Sequence, residues 1–282
     1  MDQLKSHAVR EFHHNATEDD SRAEEIRNIG YTVIDGGLNP SDLQLMREKI
    51  DRVYEVQVEQ IGGEDKLKQI NDANVGRCLI GYDDYFINLA AHPKIVSITT
   101  KLLGDYFILM SQNAIVNSPA DEHYQITWHR DLNYQHFVTS RPLAISALVC
   151  IDEFSEETGG TYLLPASHKI EVFPSREYVT RHQTQIEAQP GSIIIFDAMV
   201  FHRSGNNRSG RLRRAVNHIY TLPLIKQQIS LPKMLKGKFS DDPFLRRLLG
   251  YESETGESVH NWRENKLMQA ESAGKLPEES VR

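Results

Sequence analysis

The change of hydrophobic period near Tyr106 constrains the fold of this chain more than any other sequence feature. Beyond this residue, short runs rich in β-branched and aromatic residues alternate with clusters of Gly, Pro, Asn and Ser. The runs cover residues 106–116, 143–151, 161–164, 192–196 and 215–222. Many short strands separated by turns predict a β-sandwich or barrel, and they disfavour a parallel α/β sheet.

The residues before Tyr106 predict one strand and two helices. Residues 30–36 place β-branched and aromatic side chains between two glycines, which is typical of a strand. A helix is expected from Asn39, a capping residue, with Pro40 at its first position. A second helix is expected over residues 92–103. The predicted fold class is therefore mainly β, with helices packed around a central antiparallel barrel.

The 282 residues are interpreted as a single domain with four parts. A loose polar arm is expected over residues 1–25, followed by the N-terminal strand and helices over 26–104. The β core is expected over 105–225, and a helical, polar tail over 226–282. The hydrophobic fraction of 39% is high enough for a packed core, so a disordered chain is excluded.

Charge and apolar patterning disfavour several classes of protein. The formal net charge of −7 argues against nucleic-acid binding. No apolar run approaches the roughly 18 residues of a membrane helix, and the N-terminus lacks the apolar region of a secretory signal. Cys78 and Cys150 are the only cysteines, so a disulfide framework is not expected. We predict a soluble cytoplasmic protein without nucleic-acid or membrane partners.

The first candidate for chemistry is the segment Thr127-Trp128-His129-Arg130-Asp131. Of the 12 histidines, only His129 has a carboxylate two positions later. In a strand, residues 129 and 131 point to the same face, so both side chains could reach one metal ion. This spacing is weak evidence by itself, because it is more typical of a surface hydrogen-bonded pair.

A second histidine completes a metal-ligand set. His202 follows the apolar strand predicted at 191–197, and a barrel could bring it to His129 and Asp131. Two imidazoles and one carboxylate on one face of an ion are typical of non-haem Fe(II) oxygenases. Arg213 follows His202 and offers a guanidinium that matches a carboxylate in two hydrogen bonds.

Together these motifs resemble the phytanoyl-CoA hydroxylase family of Fe(II)- and 2-oxoglutarate-dependent dioxygenases. The resemblance covers roughly residues 30–222 and rests on the order and spacing of several motifs. They are His129-Arg-Asp131, His202-Arg-Ser204 and Arg213, together with the segments 159–168 and 191–196. It implies a double-stranded β-helix core of jelly-roll, cupin-like type with flanking helices, in agreement with the change of period.

The resemblance implies a role for each matching residue. His129, Asp131 and His202 would be the iron ligands, and Arg213, assisted by Ser204, would bind the distal carboxylate of 2-oxoglutarate. Fe(II), 2-oxoglutarate and O2 would be required, with ascorbate as a stimulant. Two further assignments concern Gln112, as a co-substrate or substrate contact, and Arg214, as the alternative clamp if the alignment slips by one residue.

The expected reaction is hydroxylation of a C–H bond in a small molecule, with release of succinate and CO2. Asp131 favours hydroxylation over halogenation, because halogenases of this family replace the ligand carboxylate with a small residue. Asn133, Tyr134 and His136 are candidates for a substrate wall, although an ordinary polar loop fits them equally. The alternative function is a non-redox cupin-like metal-binding or sugar-nucleotide module, which would not need Arg213. The protein is expected to be a monomer or a homodimer.

Overall fold

Two antiparallel sheets form the centre of the protein. The computed structural model describes residues 7–9, 17–119, 124–132 and 137–272. The larger sheet has the strand order β1-β7-β4-β9-β3-β2, and the smaller sheet has the order β6-β5-β8. The strands are β1 Tyr31–Asp35, β2 Val75–Gly76, β3 Ile108–Asn117, β4 Ala144–Cys150, β5 Tyr162–Leu163, β6 Thr184–Gln185, β7 Ser192–Asp197, β8 His202–Arg203 and β9 Arg213–Thr221.

Nine α-helices are present in the described residues, and six of them contribute side chains to the large hydrophobic cluster on one face of the larger sheet, whereas Val179 packs separately with Leu164 and Phe201. The nine helices are α1 Glu18–Ile29, α2 Pro40–Ile61, α3 Glu64–Gln69, α4 Ile87–Ala90, α5 Pro93–Leu103, α6 Arg176–His182, α7 Leu231–Leu235, α8 Pro243–Leu248 and α9 Val259–Ser272. The Asn39 side chain caps α2 as expected, since it accepts a hydrogen bond from the Asp42 N–H at 2.9 Å. Among the residues described, none of the helices has the length and apolar character that a membrane crossing requires.

Helix α1 corrects the expectation of a loose arm over residues 1–25. From Thr17 onward this segment is ordered, because the Thr17 side chain caps the helix by accepting from the Asp20 N–H. Helix α1 packs against α5, and Lys101 donates to the Asp20 carboxylate at 2.6 Å. This polar segment therefore forms a helix although only two of its side chains, Ala23 and Ile26, are buried.

The two faces of the larger sheet pack in different hydrophobic clusters. Along β4, Ile145, Ala147 and Val149 pack in the large cluster shared with the helices. The alternate residues Leu148 and Cys150 belong to a second cluster between the two sheets. This layering confirms the predicted mainly-β class with flanking helices and a jelly-roll core. It also means that every second residue of β3, β4, β7 and β9 points into the space between the sheets.

Candidate metal centre

His129, Asp131 and His202 meet in the space between the sheets. One potential ligand atom from each side chain lies within 4.8 Å of the others. Two backbone hydrogen bonds bring the histidines together, since the N–H of each donates to the carbonyl of the other, at 2.9 and 3.0 Å. The Asp131 N–H donates to the Ala198 carbonyl at 3.0 Å, which holds the third residue beside the same connection.

Both imidazoles are oriented by the carbonyl two residues earlier in the chain. His129 Nδ1 lies 2.8 Å from the Thr127 carbonyl oxygen, and His202 Nδ1 lies 3.0 Å from the Val200 carbonyl oxygen. A carbonyl oxygen only accepts hydrogen bonds, so each Nδ1 carries the hydrogen. In the neutral ring, Nε2 then keeps its lone pair, which is the form that binds a metal.

The Asp131 carboxylate uses its two oxygens differently. Oδ1 lies 3.5 Å from His202 Nε2, within the cluster. Oδ2 accepts hydrogen bonds from Ser146 Oγ and from Asn217 Nδ2, the latter at 3.3 Å. One oxygen is thus held by the protein, while the other faces the imidazoles. This arrangement favours a carboxylate that offers a single ligand atom.

The protonation states also suit a cation. Burial tends to raise the pKa of Asp131, but the neighbouring His202 and His129 and the Ser146 hydroxyl hold that pKa below its ordinary value. Burial, reinforced by repulsion from His202, lowers the pKa of His129 to about 4. Asp131 raises the pKa of His202 against the effect of burial. At neutral pH the cluster therefore contains an ionised carboxylate and a neutral imidazole. This donor set fits the two-histidine, one-carboxylate pattern of non-haem iron.

Arg213 lies in the same space with most of its hydrogen-bonding capacity unused. Its side chain is 2% exposed, and its Nη2 donates to Ser204 Oγ at 2.6 Å. Its Nε has no hydrogen-bond partner, and among the described residues no carboxylate forms an ion pair with it. Burial lowers its pKa to about 10, so the guanidinium is still charged at neutral pH. Because a buried unpaired charge is unfavourable, this geometry suits an anionic ligand.

Arg213 and the metal cluster line one pocket. Three apolar side chains form part of its wall, Ile115, Leu148 and Phe196. They come from β3, β4 and β7, where each occupies the face that looks toward the smaller sheet. The pocket is therefore polar at the cluster and at the guanidinium, with apolar surface between them.

Arg214, the alternative clamp, points away from this pocket. Its Nε and Nη2 donate to the two carboxylate oxygens of Asp51 at 2.7 and 2.8 Å, and its Nη1 donates to Asp152 at 3.2 Å. These bonds fasten β9 to helix α2 on the outer face of the sheet. Arg214 already has its carboxylate partners there, so of these two neighbouring arginines it is Arg213 that reaches the pocket.

The structure does not bring Gln112 to the pocket, which corrects the expectation that it contacts co-substrate or substrate. Gln112 lies on the helix-facing side of β3, opposite His218. Its Oε1 accepts from the Ile80 N–H at 2.9 Å, and its Nε2 donates to the Phe86 carbonyl at 2.8 Å and to His218 at 2.9 Å. Gln112 thus anchors the segment before α4 to the sheet.

The three candidates for a substrate wall, Asn133, Tyr134 and His136, lie outside the described residues. The sequence analysis did not single out Asn117, Ser146 and Asn217, which bond to residues of the site, or the pocket-lining Gln125, Thr161 and Arg203. Asn217 is four positions after Arg213 on β9 and therefore shares its face, and Asn117 is the partner of Arg213 across β3 and β9. Counting in twos from Arg213 would have identified Asn217 without a structure.

Comparison with known proteins points to one family. The family model described as phytanoyl-CoA dioxygenase (PhyH) matches residues 26–215. An uncharacterized protein of Mycobacterium tuberculosis is 28% identical over 228 residues, covering 78% of this chain and 82% of that protein. Dioxygenase olcK of Penicillium canescens is 30% identical over 186 residues, covering 61% of this chain and 59% of that protein.

Solved structures share the fold at low sequence identity. EctD from S. alaskensis, solved with 2-oxoglutarate and 5-hydroxyectoine, aligns with a TM-score of 0.61 and 20% identity, covering 75% of this chain and 80% of that one. The epimerase SnoN, solved with Fe3+, alpha ketoglutarate and nogalamycin RO, aligns with a TM-score of 0.56 and 16% identity. The alignment covers 73% of this chain and 84% of SnoN. At these identities, both comparisons show a shared fold alone.

Proposed function

This chain belongs to the phytanoyl-CoA dioxygenase family and is a non-haem Fe(II)- and 2-oxoglutarate-dependent oxygenase, and we propose that it hydroxylates a C–H bond of a small molecule. The observation that carries the proposal is one pocket with two complementary parts. One part is the cluster of His129, Asp131 and His202, and the other is the buried Arg213 guanidinium without a carboxylate partner.

His129, Asp131 and His202 hold Fe(II) in this proposal. The Nδ1 hydrogen bonds keep both imidazoles turned so that Nε2 faces the ion, while Ser146 and Asn217 hold Asp131 Oδ2. Three protein ligands leave the remaining positions for co-substrate and oxygen. When bound, Fe(II) with 2-oxoglutarate supplies the oxygen activation that no protein side chain can provide.

Arg213 and Ser204 bind the distal carboxylate of 2-oxoglutarate. A guanidinium and a hydroxyl offer charge-assisted hydrogen bonds, which are strong in a buried site because water does not compete. Leu148 and Phe196 line the same pocket, and their apolar side chains would exclude water from a bound co-substrate. The Phe154 ring, whose centroid lies 4.2 Å from Arg213 Cζ, compensates the buried guanidinium charge in part. A bound anion would compensate it further, which gives the pocket its preference for a dicarboxylate.

Two observations favour hydroxylation among the reactions that relatives of this fold perform. Asp131 occupies the carboxylate position that halide-transferring enzymes leave to a halide ion, so transfer of oxygen is favoured. EctD, whose structure contains a hydroxylated compound, shares the architecture of this chain. The structures of an epimerase and a carbocyclase also share it, so product analysis is required to establish the reaction.

A non-redox cupin-like metal-binding or sugar-nucleotide module is less consistent with the site. A purely metal-binding module would use the histidines but would have no reason to bury a guanidinium without an anionic partner beside them. The match to the phytanoyl-CoA dioxygenase family disfavours a sugar-nucleotide module. Burying a charge without a partner destabilises the folded protein by roughly several kcal/mol, as the removal of one member of a buried ion pair shows. Arg213 therefore favours the oxygenase.

A screen of small-molecule candidates with Fe(II), 2-oxoglutarate and ascorbate tests the proposal. We expect succinate to form together with a product that is heavier by one oxygen atom, and we expect neither with Arg213→Ala. A product with an inverted stereocentre or a new ring, without added oxygen, would replace hydroxylation with another oxidation. If the native protein with Fe(II) binds no 2-oxoglutarate under anaerobic conditions, the metal-binding module becomes the better assignment.

A further inference from the structure

The amide of Asn117 lies behind the Arg213–Ser204 pair. Asn117 is the last residue of β3 and is 2% exposed. Its Nδ2 donates to the Gly205 carbonyl at 2.9 Å and lies 3.2 Å from Ser204 Oγ. A carbonyl can only accept, so the atom that faces Gly205 is the NH2 group, and the orientation of the amide is determined.

The Ser204 oxygen consequently faces two donors. Arg213 Nη2 lies at 2.6 Å and Asn117 Nδ2 at 3.2 Å, and neither a guanidinium nor an amide NH2 can accept a hydrogen bond. A hydroxyl oxygen has two lone pairs and one hydrogen. Both lone pairs of Ser204 are therefore engaged, and its hydrogen has to point in a third direction. Within the described part of the chain, no acceptor meets that hydrogen.

Close packing keeps the Asn117 side chain in this position. A Cβ on Gly159 would lie 2.8 Å from Asn117 Nδ2 and 2.5 Å from the Gly205 carbonyl oxygen, so only glycine fits there. Gly159 also has a φ of +76°, which glycine adopts without strain. Asn207 Nδ2 donates to the Asn117 main-chain carbonyl at 2.7 Å, which fixes the backbone from which the side chain extends. The bond from Asn117 Nδ2 to the Gly205 carbonyl then keeps the NH2 group, and not the amide oxygen, turned toward Ser204.

We propose that Asn117 is a positioning residue that fixes the direction of the Ser204 O–H bond, so that Ser204 donates its hydrogen to the distal carboxylate of the co-substrate. The inference rests on the proposed function and adds a residue that touches neither iron nor co-substrate. Without Asn117, a lone pair of Ser204 becomes free and the hydroxyl can rotate among several orientations. The carboxylate then loses a donor that is preset in the native protein.

A double-mutant cycle on 2-oxoglutarate affinity tests this inference. The variants are Asn117→Ala, Ser204→Ala and the double variant, each loaded with Fe(II) under anaerobic conditions. The dissociation constant is followed by the absorbance of the iron chelate. We expect Ser204→Ala to weaken binding on the order of tenfold or more, because a hydrogen bond to a charged group is lost. Asn117→Ala should weaken binding on the order of fivefold to tenfold, because the donor is disordered but retained.

The decisive quantity is the effect of Asn117→Ala when Ser204 is already absent. Because Asn117 acts through the hydroxyl, that effect should fall to about twofold or less. A role in general packing would instead multiply the two single effects, and this outcome would overturn the proposal. Iron affinity should stay within about twofold of the native value in all three variants, since none of these residues is a ligand.

Two further measurements remove the remaining ambiguities. A 2-oxo acid without the distal carboxylate, such as 2-oxopentanoate, should bind native and Asn117→Ala proteins with equal affinity. A difference there would show that Asn117 acts on another part of the site. If Asn117→Ala does not fold, Asn117→Leu retains the volume, and Ser204→Ala alone still has a required result. Unchanged 2-oxoglutarate affinity in Ser204→Ala would show that the hydroxyl does not donate to the carboxylate. Failure of the native protein to bind 2-oxoglutarate would instead contradict the proposed function.

Discussion

His129 and His202 lie side by side because each backbone N–H donates to the carbonyl of the other, at 2.9 and 3.0 Å. Their ring centroids are 4.3 Å apart as a result. The metal cluster is thus built on a backbone bridge between distant parts of the sequence, so its geometry does not depend on side-chain contacts alone. Preorganised ligands of this kind lose little conformational entropy when an ion binds.

Removal of either imidazole should abolish tight metal binding. We expect native protein to bind one Fe(II), and His129→Ala or His202→Ala to bind less than a tenth of an equivalent at the same free metal concentration, because two ligands do not hold the ion. His260→Ala is the matched control, since His260 lies exposed on α9. Iron content after desalting is the measurement. Stoichiometric iron in the His202→Ala protein would remove His202 from the site.

Arg213 and Arg214 form a matched pair for testing the co-substrate clamp. Arg213→Ala should weaken 2-oxoglutarate binding on the order of a hundredfold or more, because a buried charge-assisted interaction is lost. Iron binding should remain. Arg214→Ala should change 2-oxoglutarate affinity by less than about threefold and should instead lower thermal stability, because its bonds to Asp51 and Asp152 anchor α2. Anaerobic titration with 2-oxoglutarate distinguishes them, and a larger loss for Arg214→Ala would contradict this assignment.

The parts of the fold that could be predicted from the sequence are those with strong local signals. Asn39 and Pro40 begin α2, and the run at 192–196 lies within β7, as their residue types indicated. Helix α1 escaped prediction because its acidic sequence has only Ala23 and Ile26 to bury, and its packing partner α5 is far along the chain. Tertiary contact, not local propensity, stabilises that helix.

The residues of the site, too, could be predicted where the sequence carries a local signal and not where tertiary contacts decide. Motif spacing predicted His129, Asp131 and Arg213, which the structure brings to one pocket, but the family resemblance misled for Gln112. Neighbouring residues of a strand point to opposite faces of the sheet, and Gln112 lies on the helix-facing side of β3, not on the side of the pocket. Asn117 was missed because its side-chain contacts are with Ser204 and Gly205, which are far along the chain and which no local pattern connects to it.

The donors to Asp131 should affect metal affinity without touching the metal. Ser146→Ala and Asn217→Leu each leave Asp131 Oδ2 with one donor fewer, so the carboxylate is less well held and can rotate. We expect each change to lower Fe(II) affinity about tenfold to a hundredfold, as is common for residues that orient a metal ligand. Thr139→Ala, which removes a hydroxyl that donates to the Arg141 carbonyl, is the control. Competition with a metal chelator measures the affinity, and native affinity in both variants would refute the positioning role.

Asp197 should give the protein a pH-dependent stability that is independent of iron. Burial raises its pKa to about 6, although the Met199 N–H and nearby Lys169 and Arg130 oppose the shift. The folded-state pKa lies above the unfolded value of 3.8, so this group contributes most stability below that value and loses it as pH rises through about 6. Asp197→Asn keeps an acceptor for the Met199 N–H and removes the titration. Between pH 4 and pH 7.5, the variant should therefore gain on the order of 2 kcal/mol relative to native protein. Urea unfolding of both metal-free proteins at each pH measures this difference, and a difference that does not change with pH would show that the Asp197 carboxyl titrates normally in the folded state.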